Sequence, residues 1–252
     1  RPEDHGSQIR QAQDAQLTMP RRLALAACSA LLLTAASSDS SRAPILVELF
    51  TSEGCSSCPP ADRLLQRLDS EAIVLSEHVD YWDHQGWKDR FSSPAFTARQ
   101  ESYARLFGLD SSYTPEMVID GAVEFNGSDS ARAAQEIAKA ARRPKAQVVL
   151  TRTPAGGLRI EVDSAPASGD VILALAEPGA QSQVAAGENK GRSLTHVAVA
   201  RSLRKIGSVK RGVAFRSEIS LPPDAAAQRI VVFVQEDGQT RVSGAAMLAP
   251  AG

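Results

Sequence analysis

Three cysteines in 252 residues are too few to staple a small disulfide scaffold together. The formal net charge of -1 gives no global push toward nucleic acid. The longest mostly apolar run, Leu23 to Ala36, is too short to make a comfortable membrane span. The chain lacks a Gly-rich phosphate loop, a Gly-x-Ser-x-Gly elbow and a His-Glu-x-x-His zinc motif, so the enzyme classes built on them have no support. What remains is an ordinary soluble composition, 43% hydrophobic and 23% charged. It excludes disorder and leaves room for one large domain or two small ones.

The N-terminus does not belong to the fold. Residues 1–18 are polar and read as an upstream extension. "MPRRLALAACSALLLTAASS" then gives Met19, two arginines, an apolar stretch and small residues at Ala35 and Ala36. That order predicts a secretory signal over residues 19–36, with cleavage near Ala36. "LAAC" ending at Cys28 also resembles a lipoprotein box, but the apolar segment before it is too short. The expected product is exported to the periplasm or secreted, and it is not an integral membrane protein. It carries only Cys55 and Cys58.

From Pro44 to about Arg143 the pattern alternates between strand and helix. "ILVELF" (45–50) and "AIVLSEHV" (72–79) read as strands. Between them Ala61, Leu64, Leu65 and Leu68 recur at helical spacing behind two prolines that suit a first turn. "SSPAFTARQESYARLFG" predicts a helix stopped by Gly108, and "MVIDGAVEF" (117–125) a hairpin at Asp120-Gly121. "SDSARAAQEIAKAARR" closes the unit as a third helix. Beyond Pro144 only short strand-like runs follow, the pattern of a small β sandwich. The expectation is an α/β domain over residues 44–143 and a β-rich domain over residues 144–252.

"VELFTSEGCSSCPPADRLL" carries the chemistry. Cys55 and Cys58 sit where a strand turns into a helix, and the free N–H groups and dipole of a helix start favour an anion. A thiolate is such an anion, and it is the reactive form of cysteine. The implied chemistry is thiol–disulfide exchange on a protein or a small molecule: Cys55 attacks from an exposed position, and Cys58 resolves the mixed disulfide. No cofactor is needed.

"YTPEMVIDG" adds Thr114-Pro115 immediately before a strand. Together with "ELFTSEGCSSCPPAD", "HVDYWDHQGWKDRFSSPAFTARQ" and "GENKGRSLTHVAVARSL", it resembles a family of secreted bacterial thioredoxin-like proteins, domain of unknown function twelve twenty-three. The resemblance spans roughly residues 44 to 250. It implies a thioredoxin-like fold, Cys55 and Cys58 at the redox position, and Pro115 as a cis-proline beside them. It supplies no substrate. Gly54 stands where thioredoxins carry an aromatic, and Ser56-Ser57 replace their Gly-Pro. Glu48 resembles their buried acid and is expected to accept a proton, although it lies one residue further from the first cysteine.

The same residues admit other readings. A Cys55–Cys58 disulfide that never turns over would be a poor staple, because its loop is tiny. Cys55, Cys58, His78 and His84 offer two sulfurs and two imidazoles, enough for copper or zinc. The chain would then be a non-enzymatic module binding metal or peptide in the same groove. "HVDYWDHQGW" is conspicuous in a chain with 5% aromatics, as a groove wall or as a loop anchored by its rings. Residues 187–216 hold eight Lys/Arg against one Glu, a solvated basic face or an anionic docking patch. His196 reads as a structural residue.

Overall fold

The computed structural model describes residues 44–251. The expected upstream extension and export signal, with cleavage near Ala36, and Cys28 lie outside them. The elements run β1 (Leu46–Thr51), α1 (Pro59–Leu68), β2 (Ile73–His78), α2 (Pro94–Phe107), β3 (Glu116–Ile119), β4 (Val123–Asn126) and α3 (Ser130–Ala140). Seven strands follow: β5 (Val148–Arg152), β6 (Leu158–Val162), β7 (Gly169–Gln183), β8 (Ser193–Val209), β9 (Phe215–Ile219), β10 (Arg229–Glu236) and β11 (Val242–Leu248). A 3-10 turn (Pro223–Ala227) precedes β10.

Local chemistry accounts for the boundaries. α1 begins with two prolines at its first turn and buries Ala61, Leu64, Leu65 and Leu68. In α2 the Ser93 hydroxyl accepts the Ala95 N–H, and Gly108 ends the helix at φ 70°, where a side chain would be strained. α3 is capped by Asp129, whose side chain accepts the Arg132 N–H. Asp120 and Gly121 turn the β3–β4 hairpin at φ 50° and 60°.

Eight strands make one mixed sheet in the order β11-β10-β7-β8-β2-β1-β3-β4. β1 and β2 are parallel, β3 runs antiparallel to β1, and β4 runs antiparallel to β3. Strand pleating splits β1 between two faces. Val47 and Leu49 pack with Ala61, Leu64 and Leu65 of α1 and Ala133 of α3. Phe50 faces the other way, with Tyr103 of α2. A second sheet, β5-β6-β9, stacks on β7 and β10 through Leu158, Ile160, Leu173 and Val232.

The α/β half and the β-rich half therefore share a sheet. β8 joins β2 in parallel, with Ser76 opposite Val199. The long β7–β8 hairpin, which lies wholly beyond residue 144, belongs to that sheet, and its loop reaches the turn before α1. Nearby, Lys145 and Asp120 form a fully buried ion pair, Nζ to Oδ2 at 2.7 Å. Among the described residues, no helix is long and apolar enough to cross a membrane.

Candidate functional site

After β1 the chain folds through two successive turns into α1. The Cys55 N–H donates to Ser52 O and the Cys58 N–H to Cys55 O, both at 3.2 Å. Cys58 is the N-cap of α1, and its carbonyl accepts from the Ala61 and Asp62 N–H groups at 2.9 and 3.1 Å. Cys55 and Cys58 are joined by a disulfide, with Cα atoms 5.4 Å apart. The Ser57 hydroxyl, on an exposed residue, lies 3.3 Å from the Cys55 sulfur.

Both cysteines are 0% exposed, which corrects the expectation of an exposed Cys55. The cover comes from two segments distant in sequence. Trp82 lies against Gly54, so close that a Cβ there would stand 3.1 Å from the Trp82 Cβ. The loop between β7 and β8 supplies the rest. Asn189, fully buried, donates through Nδ2 to the carbonyls of Glu53 and Cys55, both at 2.9 Å. Glu188 Oε2 accepts the Ser56 N–H at 3.1 Å. Gly187, at φ 70°, lets the loop pass Trp87 where a Cβ would come within 3.2 Å.

Thr114-Pro115 is a cis peptide. The Trp82 indole N–H donates to Thr114 Oγ1 at 2.8 Å, so this residue meets the cysteine loop with its Cβ and backbone and the Thr114-Pro115 segment with its ring. Gly127 marks the packing of that segment on α1: a Cβ there would lie 3.2 Å from both Pro115 Cβ and Ala61 Cβ. The tryptophans of "HVDYWDHQGW" are anchored by their polar edges, Trp87 donating to Glu53 Oε2 at 2.8 Å. Both rings anchor the loop, which lies against Gly54 in the turn that carries the cysteines.

Glu48 is elsewhere. It lies on the α2 face of β1, opposite α1, where it meets Arg99 Nε at 2.6 Å and accepts the Tyr103 hydroxyl at 2.8 Å. Alternation along the strand puts Thr51, not Glu48, on the cysteine side. Burial and the nearby Glu48 charge, only partly offset by Arg99, hold the Glu77 carboxyl well above the usual range. The four candidate metal ligands are not assembled either. His84 is exposed, while His78 is buried with Nδ1 2.6 Å from Asp89 Oδ2. Among the described residues no group of three or more His, Cys, Asp or Glu side chains is arranged to hold a metal. The cavity of about 440 Å³ lined by Tyr81, Thr97, Arg105 and Leu109 includes neither cysteine.

A buried polar cluster surrounds the base of the cysteine loop instead. His196, from β8, lies between Glu53 (Nε2 to Oε1, 3.5 Å) and Asp62 (Nδ1 to Oδ1, 3.8 Å). Its ring meets that of His78 edge to face at 4.7 Å. Thr51 Oγ1 donates to Asp62 Oδ1 at 3.0 Å, and the Glu53 N–H to Asp89 Oδ2 at 2.9 Å. Burial works against a charge on His196, but the flanking Asp62 and Glu53 carboxylates outweigh it and raise its pKa to about 9. Burial would raise Glu53, yet His196 pulls it below the ordinary carboxylate value; His78 does the same for Asp89. Sequence reasoning gave His196 only a structural role. The available signal was positional: Glu53 two residues before Cys55, Asp62 one helical turn after Cys58, and a histidine within an apolar strand. On the basic stretch, Arg201, Lys205 and Arg216 each face an acid of a neighbouring strand.

These features define a mixed α/β protein with a covered Cys-x-x-Cys disulfide at a helix start. The family described as Protein of unknown function (DUF1223) matches residues 46–235, and the chain belongs to it. Among solved structures, it is similar to protein AGR_C_4864 from Agrobacterium tumefaciens, at 24% identity and a TM-score of 0.72, over 82% of this chain and 94% of that one. It is also similar to HBP35 of Porphyromonas gingivalis, at 14% identity and a TM-score of 0.57, over 82% of this chain and 75% of that one. No curated protein matches the sequence.

Proposed function

We propose that the chain is an exported thioredoxin-like protein that exchanges thiols and disulfides with a protein or small-molecule partner through Cys55 and Cys58. The observation that carries this reading is the buried disulfide at the start of α1, in a turn that Trp82 meets at Gly54 while its indole holds Thr114. The strand order β2-β1-β3-β4, with α1 and α3 on one face and α2 on the other, supports the thioredoxin-like reading. In the oxidising direction a partner thiolate attacks the Cys55 sulfur. The Cys55–Cys58 bond breaks and Cys58 leaves as a thiolate. A second partner thiolate then attacks the partner's own sulfur in the mixed disulfide and expels Cys55. The partner loses two electrons as its disulfide forms, and the Cys55–Cys58 pair gains them.

The burial of both sulfurs favours a second reading, a peptide- or metal-binding module in which the disulfide is a fixed crosslink. One experiment separates the two. Residues 37–252 are equilibrated across a glutathione redox series, the thiols are alkylated and weighed, and metal content is read on the same sample. A pair that converts reversibly between about −120 and −270 mV supports exchange. A pair that stays oxidised throughout while the protein remains folded, or thiols protected by bound metal, overturns it.

A further inference from the structure

We propose that His196 holds the proton that the Cys58 sulfur takes up when the disulfide opens, passing it through Asp62; this rests on the exchange reading. Reduction leaves a sulfur anion at Cys58, a residue with no exposed surface. An unpaired buried charge is costly, so the thiolate needs a proton or a counter-charge close by.

The groups available come from every element around the helix start. α1 supplies Asp62, one turn beyond Cys58, which puts the two side chains on one helix face about 5–6 Å apart at Cβ. The turn after β1 supplies Glu53, β2 supplies His78, the following loop Asp89, and β8 supplies His196. β7 contributes the hydroxyl of Ser182, and β1 that of Thr51. Glu48 is on the far face, bound to Arg99. Of the two histidines, His78 is held by Asp89 at 2.6 Å.

His196 is different. Neither ring nitrogen has a hydrogen-bond partner, although the side chain is fully buried. Its acid neighbours stand at 3.5 and 3.8 Å, near enough to favour its charge and too far to fix its protons. A buried imidazole left in that state has no hydrogen bond that fixes its protons, and it is well suited to giving up and recovering one. Its preference for the charged form at neutral pH agrees with this.

The proton moves as follows. The partner thiolate forms its bond to Cys55, the Cys55–Cys58 bond breaks, and Cys58 departs with the electron pair. Asp62, protonated by the His196 imidazolium, delivers that proton to Cys58. His196 is recharged by the proton that the second partner thiol releases on becoming a thiolate. His196 never touches sulfur; it is a positioning residue for the proton.

The test uses reduced residues 37–252 and the pH profile of iodoacetamide alkylation at each cysteine, resolved by peptide mass. In His196→Gln the midpoint for the pair is expected to rise by about one unit, making alkylation near pH 7 about tenfold slower. Asp62→Asn is expected to move it as well, and Glu48→Gln to leave it in place. A folded His196→Gln protein with the wild-type midpoint overturns the proposal. Should that variant fail to fold, the wild-type protein with ring-labelled histidine decides by NMR. His196 must titrate differently in the disulfide and dithiol states, and identical titrations overturn the proposal. A disulfide that cannot be reduced at all defeats the exchange reading itself, a separate outcome.

Discussion

The side-chain amide of Asn189 donates a 2.9 Å hydrogen bond to the carbonyl of Cys55, across 134 residues of sequence. A second bond from the same nitrogen holds Glu53 O. The β7–β8 loop is thereby pinned over the disulfide by a group that has no other exposed role. Access to the sulfurs is coupled to whether this loop stays down.

Asn189→Ala removes both bonds; Glu53 O loses its donor while Cys55 O keeps the Cys58 N–H, at a cost of about 1–3 kcal/mol of stability. Reduction of the disulfide by a water-soluble phosphine is expected to speed up several-fold, read by alkylation against time. An unchanged rate in a folded variant would show that the loop does not control access.

Trp82→Phe keeps the Cβ against Gly54 and removes the indole bond to Thr114. The expected loss of stability is about 0.5–1.5 kcal/mol. If the Thr114-Pro115 segment positions the partner, mixed-disulfide trapping by a Cys58→Ser background should weaken more than reduction by a small phosphine does. Equal effects on both would assign Trp82 to cover alone.

Among the raised groups, His196 and Glu116 tie stability to pH in the range between about 4.5 and 9. The histidine value of His196 rises from 6.5 to about 9 in the fold, so its contribution is complete below about pH 6.5 and is lost as pH climbs toward 9. Burial, with Glu124 and Glu48 adding to it, raises Glu116 from 4.5 to about 7 despite the bond from Gln100. Its contribution is complete below about pH 4.5 and is lost on the way to 7. The lowered Glu53 and Asp89 act in the opposite sense, losing their contribution as pH falls below about 4. Urea midpoints should therefore peak in mild acid. His196→Gln should flatten the fall above pH 6.5, and Glu116→Gln the fall below 7. A wild-type midpoint that climbs from pH 6 to 9 would contradict both assignments.

Arg99 holds Glu48 and lies 3.7 Å from Glu77, with both carboxylates fully buried. Arg99→Met strips the counter-charge from Glu48, and a loss of about 3–5 kcal/mol is expected in urea unfolding. The double variant Arg99→Met with Glu48→Met should recover part of it, because the stranded charge goes with its partner. A single variant as stable as wild type would mean that the acids are already neutral in the fold.

Much of the fold was legible because period and caps agreed with the tertiary outcome. "ILVELF" became β1, the Ala61-Leu64-Leu65-Leu68 stripe became the buried side of α1, and Ser93 and Gly108 bracket α2 as their chemistry requires. The strand-like runs beyond Pro144 each became a strand, two of them longer than their apolar cores because the β7–β8 hairpin continues past the sheet's centre. Pairing partners were not legible. Nothing in "AIVLSEHV" or "LTHVAVA" says that Ser76 will lie beside Val199, since a strand exposes the same backbone groups to any neighbour.

The sequence alone determined the chemistry on offer: two thiols at a strand-to-helix turn, and no rival motif. Local forces suffice for that, because the helix start, the caps and the spacing of the cysteines are properties of a few adjacent residues. Only the tertiary structure decided the surroundings of the sulfurs. The choice of which face of β1 receives α1 took Glu48 away from the disulfide and brought Asp62 and Thr51 beneath it. The pairing of β8 with β2 then delivered Asn189 and His196 from far along the chain, and no periodicity encodes such a meeting.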